Sequence, residues 1–137
     1  MVSAGLGSFL NGTACHLDLV QWATKPAQGE LRADVWQRLV DKDRKFLAWQ
    51  LGQTRASTIL VNGGACMSWL SAEGLVAWEP SEVLTFRNAK GTTGRLEVCS
   101  ADRDGKRFLG WNRPVAGPIP APGRELLQEW VSRTAAR

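Results

Sequence analysis

The stretch Ser57–Leu70, reading STILVNGGACMSWL, limits what this chain can fold into more than any other. A short apolar run, Ile59 to Val61, stops at Asn62-Gly63-Gly64. It passes directly into a segment with apolar residues at Ala65, Cys66, Trp69 and Leu70. A buried strand, a glycine turn and a helix start fit that order best. Open α/β sheets gather ligands where strand carboxyl ends meet helix N-termini, so the stretch also marks where a site would lie.

The flanking segments extend the pattern. Residues 1–13 read as an irregular lead-in rich in Gly and Ser, and Ala14–Trp22 alternates like a strand that Pro26 prevents from continuing. Leu31–Leu51 carries apolar residues at three- and four-residue steps and predicts a helix. The charged run Asp41–Lys45 marks a bend or second start, and Gly52 an end. A second helix is expected from about Gly64 to Ala72, closed by Gly74. Val83–Phe86, Arg95–Cys99 and Arg107–Trp111 read as strands, the last two joined by a hairpin turn at Asp104-Gly105. Asn88–Gly94 reads as a flexible loop, Pro114–Pro122 as an extended connection, and Gly123–Thr134 as a final helix. The order predicts one α/β domain over residues 1–137. Its architecture is a three-layer α/β/α sandwich with a small, mostly parallel central sheet and an antiparallel hairpin at one edge. Ala14–Val20 and Thr58–Val61 are expected as adjacent, buried, parallel strands.

Composition narrows the class. The chain has 137 residues, 44% of them apolar, enough for a real core, and no apolar run approaches a membrane span. Cys15, Cys66 and Cys99 each sit in an apolar run, which predicts reduced thiols and a cytoplasmic setting. With one histidine and no paired cysteines, no metal site is expected, nor any cofactor. Net charge is 17 − 13 = +4. Val83–Arg113 holds seven basic residues against three acidic, so this segment alone accounts for the excess. A local basic surface attracts phosphates; a solvated hairpin with ordinary surface charge is the plainer explanation.

Few residues are candidates for chemistry. His16 and Asp18 share one predicted strand face, about 7 Å apart, and could act as a base oriented by a carboxylate. A half-buried imidazole bonded to backbone is the commoner use of such a histidine. Asp18, flanked by Leu17 and Leu19, needs a compensating donor: an arginine, backbone amides or a ligand. Asn62 offers an amide at a strand's carboxyl end, though turn residues are often Asn for purely conformational reasons. Trp111-Asn112-Arg113 suits either a base-stacking loop or a core tryptophan followed by a turn. Trp22, Trp36, Trp49, Trp69 and Trp130 lie on apolar stripes and read as core.

The order HLDLVQWATKP, KFLAWQL, STILVNGGACMSWL and KRFLGWNRPVAG, followed by a last helix, resembles the uracil-DNA glycosylase superfamily, particularly its divergent bacterial members. The resemblance spans about Ala14–Val131. It implies DNA or a nucleobase as partner, with Asp18 at the family's base-reading position and Asn62 nearby. Arg87, Lys90, Arg107, Asn112 and Arg113 would contact nucleic acid, the last two near the family's minor-groove loop. Two departures stand out. An Asp replaces the amide that reads the base, and no glycine-rich motif with a water-activating carboxylate precedes Ala14. The resemblance therefore implies binding of nucleic acid or a nucleobase more than base excision. Two other functions stay open: a non-catalytic interaction domain, and a small-molecule hydrolase using His16 and Asp18.

Overall fold

Strand segments whose apolar residues alternate must bury one face, and a helix with an apolar stripe is the natural cover. The computed structural model describes Leu17, Glu30–Arg113 and Ile119–Arg137. It divides the chain into two compact units, Cys15–Arg55 and Met1–Ala14 with Ala56–Arg137. Of the expected first strand only Leu17 is described, and it lies in neither a helix nor a strand; Cys15, His16 and Asp18 lie outside the described residues.

In the smaller unit the described element is α1, Ala33–Gln53. It runs unbroken through Asp41–Lys45, where no Gly or Pro interrupts it, so the bend expected there does not form. It also passes Gly52 and ends where Thr54 turns extended, its N–H donating to Gln50 O at 3.0 Å. Val40, Asp43 and Leu47, at three- and four-residue steps, form its buried stripe.

The larger unit contains β1 (Thr58–Asn62), α2 (Gly64–Ala72), β2 (Glu79–Arg87), β3 (Thr93–Arg103), β4 (Lys106–Trp111) and α3 (Ala121–Ala135). The four strands form one sheet in the order β1-β4-β3-β2. Only β1 and β4 pair in parallel; β4–β3 and β3–β2 are antiparallel. The described sheet is thus mostly antiparallel, contrary to the expected parallel dominance. Its cause is the meander β2-β3-β4, whose connections are too short for parallel crossovers. Among the described strands β1 is at an edge, and Leu60 is 46% exposed where full burial was expected.

Burial alternates along the second half of β2 and the middle of β3, as one covered face requires, whereas β4 is buried on both faces from Phe108 to Trp111. Leu84, Phe86, Leu96, Val98, Leu109 and Trp111 meet Leu127, Trp130 and Val131 of α3 in one core cluster. On the opposite face, α2 and the segment after it lie over β4: the empty side-chain position of Gly110 is within 3.1 Å of Met67 and Trp78. Trp78 Nε1 donates to Met67 O at 3.0 Å, fixing that indole. The hairpin turn forms as read, with Asp104 and Gly105 both at positive φ (52° and 73°), as a two-residue turn matched to strand twist requires.

Phe86 depends on two glycines. A Cβ on Gly94 would stand 2.3 Å from its ring, and one on Gly123 would stand 2.8 Å away. The ring therefore lies across bare backbone from β3 and α3 together. Gly94→Ala should destabilise the fold by about 1–3 kcal/mol, the usual cost of overpacking. A lowered urea midpoint at unchanged m-value would show it, and adding Phe86→Leu should restore part of the loss.

The carboxyl-terminal end of the sheet as a candidate site

Because β2 and β4 both run antiparallel to β3, and β1 runs parallel to β4, the strands β1, β4 and β2 end at the same edge of the sheet. Asn62, Trp111 and Arg87 are their last residues. The β2–β3 hairpin extends past the end of β4 by residues 93–97 of β3, about 16 Å of strand.

The glycine turn brings α2 to this same end. Gly63 has φ 99° and ψ 151°, a backbone state that side chains strongly disfavour, and its N–H donates to Trp111 O at 3.0 Å. Gly64 sits so close to Asn112 that an added Cβ would lie 3.3 Å from its carbonyl oxygen. No side chain caps the N-terminus of α2. Its first N–H groups are those that a helix leaves without intrahelical partners.

Each predicted site residue within the described chain can now be placed. Asn62 ends β1 as read, and its Oδ1 accepts from Trp111 Nε1 at 2.9 Å. Trp111 is buried in the core cluster, which decides between the stacking and core readings in favour of core. Asn112 continues the β3 ladder: its N–H donates to Glu97 O, and its Oδ1 accepts from Glu97 N at 3.1 Å. Arg113 follows it, exposed. Arg87 and Arg95 alternate with Phe86 and Leu96, so they point away from α3, onto the face that α2 occupies further along the sheet.

Lys90 lies in the hairpin turn, which is not the loose loop expected. Asn88 Oδ1 accepts from the backbone N–H of Lys90 and Thr92, its Nδ2 donates to Thr92 Oγ1, and Asn88 N–H donates to Thr92 O. Asn followed by Gly91 at φ 75° is the signal that could have revealed an ordered turn. Nothing in the sequence sets Arg95 apart from the other basic residues; strand parity places it beside Arg87.

Arg107 belongs elsewhere. It is the second residue of β4, at the far end of the sheet, and faces α3. Its Nε and Nη2 donate to Asp102 Oδ1 and Oδ2 at 2.9 and 3.0 Å, and its Nη1 donates to Thr134 O at 2.9 Å. Nearby, Arg133 pairs with Glu82, and Trp130 Nε1 donates to Ser81 Oγ. These contacts border a shallow polar basin that holds the last turn of α3 against the sheet. Arg103, too, is engaged, donating to the carbonyl of Gly74.

Cys66 and Cys99 are both thiols, and burial followed by the nearby Glu97 charge pushes the Cys99 thiol pKa up, away from nucleophilic use. Among the described residues there is no His/Cys/Asp/Glu group able to hold a metal ion, and no helix long and apolar enough to cross a membrane. No protein-family model matches the chain, and comparison with curated proteins and with solved structures finds no match either.

The Arg107 guanidinium, by hydrogen bond and then by charge, holds the Asp102 carboxyl below the usual carboxylate range. A depressed folded-state pKa contributes stability that is complete above the unfolded value, about 3.9, and is lost as pH falls through the folded value. Amide exchange in the last turn of α3 should therefore accelerate as pH drops below about 4, after correction for intrinsic rates. Asp102→Asn should show that acceleration already at neutral pH. Equal protection in both proteins across the range would remove the ion pair from any role in holding α3.

Proposed function

We propose that this chain is a nucleic-acid-binding α/β domain of the uracil-DNA-glycosylase type, a three-layer sandwich that takes its ligand at the carboxyl-terminal end of its sheet. The observation that carries the proposal is how the arginines are sorted. Arg103 and Arg107 each donate to a backbone carbonyl and to a carboxylate. Arg87, Lys90 and Arg95 instead cluster on the projecting hairpin, exposed, with Glu97 the nearby carboxylate on the same face. Exposed cations on a rigid hairpin are suited to phosphates, whose neutralisation releases counterions.

The other groups at this end fit the same ligand. The uncapped start of α2 offers N–H donors of the kind that bind anions. Arg113 adds a further cation next to Asn112. Asn62, held by its bond to Trp111, takes a base-reading role at this end, and Asp18 separately keeps the base-reading role that the sequence resemblance implies for it. An ionised Asp18 accepts only, which favours a base edge bearing an amino group.

Titrating the full chain against a fluorescent oligonucleotide over a range of salt concentrations tests the reading. Binding should weaken steeply with salt. Arg87→Gln with Arg95→Gln should reduce the log–log slope by about two, one for each phosphate no longer neutralised. Arg107→Gln should leave the slope unchanged and lower the unfolding midpoint instead. An unchanged slope and affinity in the Arg87/Arg95 double variant would exclude the hairpin as the binding surface.

A further inference from the structure

Helix α1 carries a second, exposed surface beside its buried stripe. Its buried stripe is Val40, Asp43 and Leu47. Val35, Leu39, Phe46 and Trp49 form a different stripe, at steps of four, seven and three residues, which keeps them on one side of the helix. Trp49 is 59% exposed and Phe46 46% exposed, and their rings stack with centroids 5.8 Å apart at 17°. The sequence pattern placed Trp49 in the core; the structure places it in solvent. Two large aromatic rings stacked face to face on a helix surface are an uncommon use of apolar area unless they receive something flat.

The charges beside the rings indicate what that is. Arg38, Lys45 and Trp49 follow at steps of seven and four residues, so the two cations form a ridge ending at the indole. Arg38 and Lys45 are exposed and about 10 Å apart along the axis by the helical rise. Two acids lie on that side, each four residues before one of these cations: Asp34, which Arg32 engages at 3.0 and 3.1 Å, and Asp41, which accepts a hydrogen bond from Gln37 at 3.0 Å. Flat π surface bordered by a line of cations is the combination that binds single strands: bases stack on the rings while the backbone follows the charge.

We infer that the Phe46–Trp49 face of α1 binds unpaired bases of single-stranded nucleic acid, with Lys45 and Arg38 contacting its phosphates. The inference deepens the nucleic-acid reading proposed above by naming the strand state of the ligand. A duplex keeps its bases stacked and cannot offer their faces to these rings. A second copy of this chain is a poorer occupant. In a self-complementary pair the centre of the stripe meets itself, and Lys42 stands at that centre. An anionic membrane is poorer too, because the charged residue interrupts the apolar stripe that would enter the lipid.

The test uses the full chain with a labelled 20-nucleotide oligothymidine and a labelled duplex of equal length. Trp49→Ala should weaken binding of the single strand by about 5- to 100-fold, the range for loss of one stacked base. It should leave duplex binding unchanged. Trp49→Phe, which keeps a ring, should recover most of the loss, and bound oligothymidine should quench tryptophan emission in the parent more than in Trp49→Ala. Unchanged single-strand affinity in Trp49→Ala, or an equal loss for single strand and duplex, overturns the inference. A concentration-dependent dimer that Trp49→Ala abolishes, or Trp49-dependent binding to phosphatidylserine vesicles with no single-strand effect, also overturns it and assigns the face to that partner. The Arg87/Arg95 double variant separates the two proposals. If it alone loses affinity, the hairpin stands and the α1 face falls. If Trp49→Ala alone loses affinity, the reverse holds.

Discussion

Strand β4 is the constraint on which the larger unit depends. It pairs in parallel with β1 on one side and antiparallel with β3 on the other, so removing it leaves β1 without its described partner. It also supplies both faces of the packing. Leu109, with no exposed surface, and Trp111 enter the core beneath α3. Gly110 between them leaves room on the other face for Trp78 and Met67. A side chain at Gly110 would push against the indole that ties the segment after α2 back to its helix. Three residues of one strand thus fix the positions of two helices.

The same strand separates the arginines into two groups. At its start, Arg107 faces Asp102 across a two-residue turn and is engaged on three sides. Exposed ion pairs contribute little, but this guanidinium is largely covered and bidentate, and it also holds a helix-end carbonyl. At the other end of the sheet, the projecting hairpin carries its cations without such partners among the described residues. The charge excess read from Val83–Arg113 is therefore two features of different kind, a structural clasp and an open surface, at opposite ends of the sheet.

Much of this was legible in the chain. The Asn-Gly-Gly junction marked strand and helix boundaries because glycine at positive φ is a local requirement. Asp104-Gly105 marked the hairpin, and with a two-residue turn the facing of Asp102 and Arg107 follows from counting alone. Strand order was not legible: an apolar run such as Ile59–Val61 looks the same at an edge as in the middle, because neighbours decide it. Neither was the exposure of Trp49. Its spacing from Phe46 is helical, and spacing shows only that residues share a side of the helix. Which side is covered depends on the tertiary fold. The roles of His16 and Asp18 rest on sequence, since they lie outside the described residues.

The cover over the sheet arrives last. Leu84, Phe86, Leu96, Val98 and Leu109 are all made before Leu127, Trp130 and Val131, which bury them. During synthesis the meander emerges with one face apolar and nothing yet to place on it, a condition that favours association between nascent chains. Arg133 and Thr134, which clasp Glu82 and Arg107, come later still. The meander of the larger unit therefore stays uncovered until Leu127, Trp130 and Val131 have left the ribosome.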